Sequence, residues 1–252
     1  MMASGTITLS LTATIFTATL VRSATGFGFA LLAVPMMSLV LEPASAVGLS
    51  LMFQIASGLL IALRGLTAPE ITYALRLSAF TLIGLVPGLL VLLVLPPVFA
   101  RVMLVACLLV ALLLIAGKVS FKASPTTRHW MLIGLCAGFM QGVAGAAGPP
   151  VLTALHADKA ISKASKRRIM SLYFVLVGLL SLPPILTHMP GQLLNLRLQS
   201  FLLVAMLCGI FAGHQVFIRL SDRHFHGATV LLLMTGLGLA CYPLVSPLIT
   251  GR

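Results

Sequence analysis

The sequence predicts an all-α, polytopic membrane fold made of two inverted repeats, each a glycine-rich re-entrant hairpin of broken helix followed by three transmembrane helices. Three observations predict it. The 252 residues are 60% hydrophobic and only 8% charged, with a mean hydropathy of +1.14, whereas a soluble domain carries roughly 25% charged residues. Two apolar stretches, Gly5–Leu41 and His129–Ala157, are interrupted by glycine clusters. The basic residues segregate between loops in a way that favours one topology.

The first stretch, Gly5–Leu41, would be ~55 Å long as a single helix, against a hydrocarbon core of ~30 Å. Its interruption falls at Arg22–Gly28. Three ordinary spans of about 20 residues follow, at Pro43–Leu63, Ala74–Leu95 and Val98–Ala116. The second stretch breaks at "GVAGAAGPP", residues 142–150. Its return arm, Pro149–Ala157, reaches only ~14 Å, about half the core. A helix that stops halfway after a glycine-rich break is most simply a re-entrant arm, tolerated where protein or a water-filled cavity surrounds it. Three more spans close the chain, at Ile169–Thr187, Leu198–Ile218 and Ala228–Leu248.

Charge tests the hairpins. If each interrupted stretch enters and leaves on one side, twelve basic residues share a side: Arg64, Arg76, Lys118, Lys122, Arg128, Lys159, Lys163, Lys166, Arg167, Arg168, Arg219 and Arg223. Arg101, Arg197 and Arg252 lie opposite. If each stretch crosses once, the division becomes eight against seven. The positive-inside rule favours the hairpins, with the twelve in the cytoplasm and both termini outside. Three spans after each hairpin are an odd number, so the second half enters from the opposite face. Weak self-similarity at an offset of 119 agrees: Gly26 matches Gly145, Arg22 matches Gln141, and Gln54 matches Tyr173. The chain then divides into a first repeat (residues 1–117), a cytoplasmic connecting loop (118–128) and a second repeat (129–252). The net charge of +12 is topology charge and does not indicate nucleic acid; the expected surroundings are the lipid bilayer of the cell (inner) membrane, and a homo-oligomer is compatible with it.

Inverted repeats with discontinuous helices are a transporter architecture, with the substrate near the midplane. Return-arm N-termini near Gly28 and Pro149 would point there, each presenting unpaired N–H groups and about half a positive charge. Arg22, alone in an apolar run, is the expected ligand of a small anionic substrate, because its planar donors suit an oxyanion. The rival view is that Arg22 snorkels or bonds carbonyls freed at the break. Gly26, Gly28, Gly145, Gly148 and Pro149 form the tips, with Thr25 and Phe27 beside the first and Gln141 supporting the second; helix packing is the rival role of the glycines. Gln54 and Tyr173, with Ser171 nearby, are candidates to line the path, or else interhelix hydrogen-bonding residues. His156 and His214 titrate near neutral pH in water but stand near helix ends. The cluster Lys159–Arg168 reads as a topology and lipid-headgroup signal.

The four carboxylates, Glu42, Glu70, Asp158 and Asp222, fall at predicted helix ends or loops, which does not support a buried proton or sodium relay. No Walker, HExxH or metal-ligand spacing occurs, and no cofactor or metal is expected. Cys107, Cys136, Cys208 and Cys241 lie in apolar runs and form no CxxC pair.

The pattern resembles the sulfite exporter TauE/SafE family over essentially the whole chain. The matching segments are "ATGFGFALLAVPMMSLVLEPASAVGLSL" and "GFMQGVAGAAGPPVLTAL", the latter followed by the basic "ISKASKRR". The first has Gly26-Phe27-Gly28-Phe29-Ala30 where the family more often has three glycines. The resemblance implies a transporter, not an enzyme, that exports small sulfur-containing anions such as sulfite, sulfonates or sulfoacetate. Two other readings stand beside it: a membrane thiol or redox protein using its cysteines, which replacing all four would inactivate, and a passive anion channel, which would show neither saturation nor counterflow.

Overall fold

The computed structural model describes residues 2–62, 65–116, 127–157, 161–219, 227, 230–231 and 233–242. Every described regular element is helical: α1 (Met2–Thr25), α2 (Phe29–Met37), α3 (Pro43–Ala62), α4 (Ala68–Val94), α5 (Pro97–Ala116), α6 (Thr127–Ala144), α7 (Gly148–Ala157), α8 (Lys163–Leu186), a 3-10 turn (Gly191–Leu194), α9 (Leu196–Arg219) and α10 (Leu233–Tyr242). Helices satisfy their backbone groups internally, which lipid requires. Starts are marked locally. Pro43 and Pro97 stand at first helical positions, where a missing N–H costs nothing. Thr67 and Glu70 form a capping box at α4, and Ser162 Oγ accepts from Ser165 N (3.2 Å) at α8.

Six of the described helices are long and apolar enough to cross a membrane. The surface is apolar, with Val94 and Phe211 each 71% exposed, while Arg22, Ser23, Gln54, Ser57, Thr81, Gln141 and Ser171 are buried. Several buried hydroxyls on helices are satisfied by the preceding turn, as in Ser57 Oγ to Phe53 O (2.6 Å).

Several boundaries differ from expectation. Arg22 lies in the last turn of α1, not in the break. Gly5–Thr25, expected as a re-entrant arm, is by length and composition a candidate span. α4 starts at Ala68 and α8 at Lys163, each six residues before the expected span, so Glu70 and the basic segment from Lys163 are helical; Arg76 is exposed on α4. α4 starts earlier because Thr67 and Glu70 cap it, and α8 continues through the basic segment because Arg167 and Arg168 find partners in Ser23 and Glu70. Of the expected span Ala228–Leu248, the helix Leu233–Tyr242 is described as a run, and most of the connecting loop lies outside the described residues.

Glycines set the helix packing. A methyl added at Gly84 would overlap Leu135 O, one at Gly138 would overlap Thr81 O, and one at Gly142 would meet Gly88. The backbones of α4 and α6 therefore touch, and they run parallel. Gly209 meets Phe16 and Thr19, and Gly213 meets Leu20 and Ser23, so α1 and α9 are also parallel. Gly48 meets Ile185 and Met189, whereas Gly58 meets Ser171 and Val175, so α3 and α8 are antiparallel. Small residues permit this closeness without lipid having to be displaced by bulk.

Candidate functional site

The two breaks have the same construction 119 residues apart: Gly26-Phe27-Gly28 between α1 and α2, and Gly145-Ala146-Ala147 between α6 and α7. In the first, Gly26 N donates to Arg22 O (2.6 Å) and Gly26 turns to φ +84, which a side chain would resist. Thr25 Oγ1 lies 2.8 Å from the carbonyl oxygens of Val21 and Phe27 and closes the turn. In the second, Gly145 N donates to Gln141 O (2.8 Å), Gly145 has φ +65, and Gln141 Oε1 accepts from Ala147 N (3.2 Å). Gln141 thus supports its tip from the side chain. Return helices start at Phe29, after Gly28, and at Gly148, with Pro149 and Pro150 inside the first turn.

The tips meet. A methyl on Gly148 would stand 3.4 Å from Phe27 Cδ2 and 3.1 Å from Phe174 Cζ, and one on Gly145 would stand 3.5 Å from Ala30 Cβ. Phe174 joins this contact to Arg22, whose guanidinium lies over its ring, 5.1 Å from the centroid. Arg22 is 0% exposed. Its Nη2 would be 2.6 Å from a methyl on Gly58, so the missing side chain there makes room for the guanidinium. Nε, Nη1 and Nη2 of Arg22 have no hydrogen-bond partner among the described residues. The same is true of Gln54 Nε2, one turn before Gly58 on α3, of Gln141 Nε2 at the second break, and of Ser171 Oγ on α8. The unpaired nitrogens are all donors.

Of the sequence-predicted residues, the structure brings Phe27, Gly145 and Gly148 into one contact region, with Arg22 adjoining through Phe174. Gly26 instead abuts Arg167, and Gly28 lies against Val21. The Tyr173 hydroxyl is engaged with Thr81 Oγ1 (2.9 Å), which ties α8 to α4. His156 lies in α7 with its side chain outside the described set, and His214 is half-buried in α9. Sequence reasoning missed Phe174 and Gly58. Gly58 was signalled only by its place four residues after Gln54, and Phe174 by nothing beyond its adjacency to Tyr173.

The basic segment is also redirected. Arg168 donates through Nε to both carboxylate oxygens of Glu70 (3.2 and 3.0 Å), linking the starts of α8 and α4. Arg167 Nη2 donates to Ser23 Oγ (3.3 Å). Both side chains therefore engage protein, not only headgroups. Glu70 is buried in the first turn of α4, and Glu42 is exposed ahead of α3. Cys107 and Cys136 border an apolar cavity of about 530 Å³ between α4, α5 and α6, and the four cysteines are free. Among the described residues no group of three His, Cys, Asp or Glu is placed to hold a metal.

The family model for the sulfite exporter TauE/SafE matches residues 11–240, and the chain belongs to that family. No curated protein and no solved structure matches. Membership makes the chain a membrane transporter of the sulfur-anion class.

Proposed function

We propose that this family member is a secondary transporter that exports a small sulfur-containing or organic anion, such as sulfite or a sulfonate, by alternating access around the meeting point of the two breaks. The observation that carries the reading is Arg22: a wholly buried guanidinium with three unpaired nitrogens. A buried charge without a partner is costly and persists where function requires it. An oxyanion supplies what is missing, accepting the planar fork of Arg22 and the amide donors of Gln54 and Gln141. The N-termini of α2 and α7 add partial positive charge and N–H groups near Gly28, Gly148 and Pro149. Thr25, Gly26 and Gly145 shape the breaks, Phe27 packs between the tips, and Tyr173 holds α8 in place beside them.

Inverted repeats are supported by helix direction. If each half crossed an even number of times, the repeats would be direct and the equivalent helices α3 and α8 would run parallel. They run antiparallel. The equivalent construction of the breaks and the exchange of partners between halves, α1 with α9 and α4 with α6, agree with this symmetry. Such pairs are natural rigid bodies for a rocking motion.

The test is ligand-dependent thermal stabilisation of purified protein across sulfite, sulfonates and carboxylates. A sulfur oxyanion should raise the transition most, and Arg22→Gln should weaken its binding about tenfold to a hundredfold, the equivalent of one charge-assisted hydrogen bond of roughly 1.5–3 kcal/mol. Arg22→Lys should recover part of the loss, since it keeps the charge without the fork. A panel in which no small anion shifts the transition, or an Arg22→Gln protein with wild-type affinity, refutes the reading.

A further inference from the structure

We infer that Ser171 is a further ligand of the anion at Arg22, and that its hydroxyl takes a third oxygen there, so that the site selects three-oxygen sulfur anions over two-oxygen ones. The inference rests on the anion-site reading above and deepens it. Ser171 is wholly buried on α8, and its Oγ has no hydrogen-bond partner among the described residues. A serine or threonine inside a helix can satisfy its hydroxyl on the carbonyl one turn back. Others in this protein do so. Ser181, ten residues further along α8, donates to Val177 O (2.6 Å), and Ser78 and Thr81 on α4 donate to Ala74 O and Leu77 O, each at 2.9 Å. Ser57 on α3 donates to Phe53 O. Ser171 has the carbonyl of Arg167 one turn back and is not bonded to it. A buried hydroxyl left open in this way calls for a partner.

Its neighbours show where that partner sits. The methyl position of Gly58 is 2.6 Å from Arg22 Nη2 and 3.1 Å from Ser171 O. Phe174, three residues after Ser171 and so beside it on the helix surface, carries the Arg22 guanidinium over its ring. Ser171 therefore borders the guanidinium from the α8 side. Gln54, whose Nε2 is also unpaired, flanks it from α3, one turn before Gly58. Ser50 Oγ is unpaired too, but it stands eight residues before Gly58, ~12 Å away along the axis. The fork of Arg22 is planar and engages two oxygens. The oxygens of a sulfite or sulfonate group form a tripod, so with two on the fork the third stands out of its plane. A hydroxyl beside the fork can donate to that oxygen without bringing another charge into the site.

The test compares two monoanions that differ by one oxygen, methanesulfonate and methanesulfinate, bound to the purified full chain at neutral pH and equal ionic strength. Ser171→Ala should weaken methanesulfonate about tenfold or more and methanesulfinate by less than about threefold. Its thermal transition without ligand should be no lower than that of the wild type, because the hydroxyl it loses is unpaired. Ser57→Ala, next to Gly58 but with its hydroxyl already bonded within α3, should leave the ratio of the two affinities unchanged. The role of Ser171 is overturned if Ser171→Ala binds methanesulfonate as the wild type does, loses both anions equally, or melts lower without ligand. A Ser57→Ala protein whose ratio shifts as far overturns it as well. Arg22→Gln separates the two levels: it should weaken both anions. Unchanged binding of both in that variant, or no binding of either by the wild type, overturns the site itself. Loss in Arg22→Gln with an unchanged ratio in Ser171→Ala overturns only the role of Ser171.

Discussion

Replacing Arg22 by methionine should make the anion-free protein more stable, not less. Methionine is apolar, unbranched and flexible enough to fill the space left by the arginine stem. In the native protein the guanidinium is wholly buried and its three nitrogens lack partners. An unsatisfied buried polar group costs about 1–3 kcal/mol, and more when charged. The ring of Phe174, 5.1 Å away, returns up to about 2 kcal/mol. The balance is a net release of about 1–4 kcal/mol on substitution, the range seen when buried ions give way to apolar side chains. At about 2–4 °C per kcal/mol for a chain of this length, the transition should rise by about 2–16 °C. The assay is a thermal scan of purified Arg22→Met and wild-type protein in buffer free of small oxyanions, repeated with sulfite. Sulfite at a hundred times its wild-type dissociation constant should add about 2.7 kcal/mol to the wild type but only about 0.4–1.4 kcal/mol to a variant whose affinity is a hundredfold to tenfold weaker. A lower transition for Arg22→Met without sulfite would show that Arg22 braces the fold, and would refute the claim that its unpaired donors await a ligand.

Gly138→Ala should destabilise by about 1–3 kcal/mol through overpacking, because the new methyl overlaps Thr81 O across the α4–α6 contact; the yield of monodisperse protein after mild heating reads this out. Glu70→Gln should lower stability by about 1.5–3 kcal/mol by weakening the contact to Arg168, yet leave sulfite affinity within about threefold, measured by titration on the surviving protein. Reporter fusions should place both termini outside the cytoplasm and residues 118–128 and 159–168 inside it, from the charge asymmetry; a cytoplasmic C-terminus would contradict the hairpin parity.

Much of this was legible in the residues because lipid imposes strong rules. Apolar runs of fixed length mark the spans, and the glycine clusters mark the breaks, which recur at the offset of 119 that the sequence suggests. Arg22 stood out because a lone charge in an apolar run needs a reason. Helix ends were less legible at α4 and α8, where a charge looks like a boundary to a hydropathy count but is carried by capping and pairing in the folded chain. The partners of Arg22 were hidden for a different reason. Phe174 is one aromatic among many apolar residues, and nothing local shows that α8 lies antiparallel to α3 and turns that ring toward α1. Likewise Lys166, Arg167 and Arg168 are equivalent as a run of positive charge. Successive helix positions differ by about 100°, so the rotation of α8 against α1 and α4 assigns them: Arg168 reaches Glu70, while Arg167 packs over Gly26 and reaches Ser23. A charge run states how many cations a segment carries, and helix packing states which of them point inward.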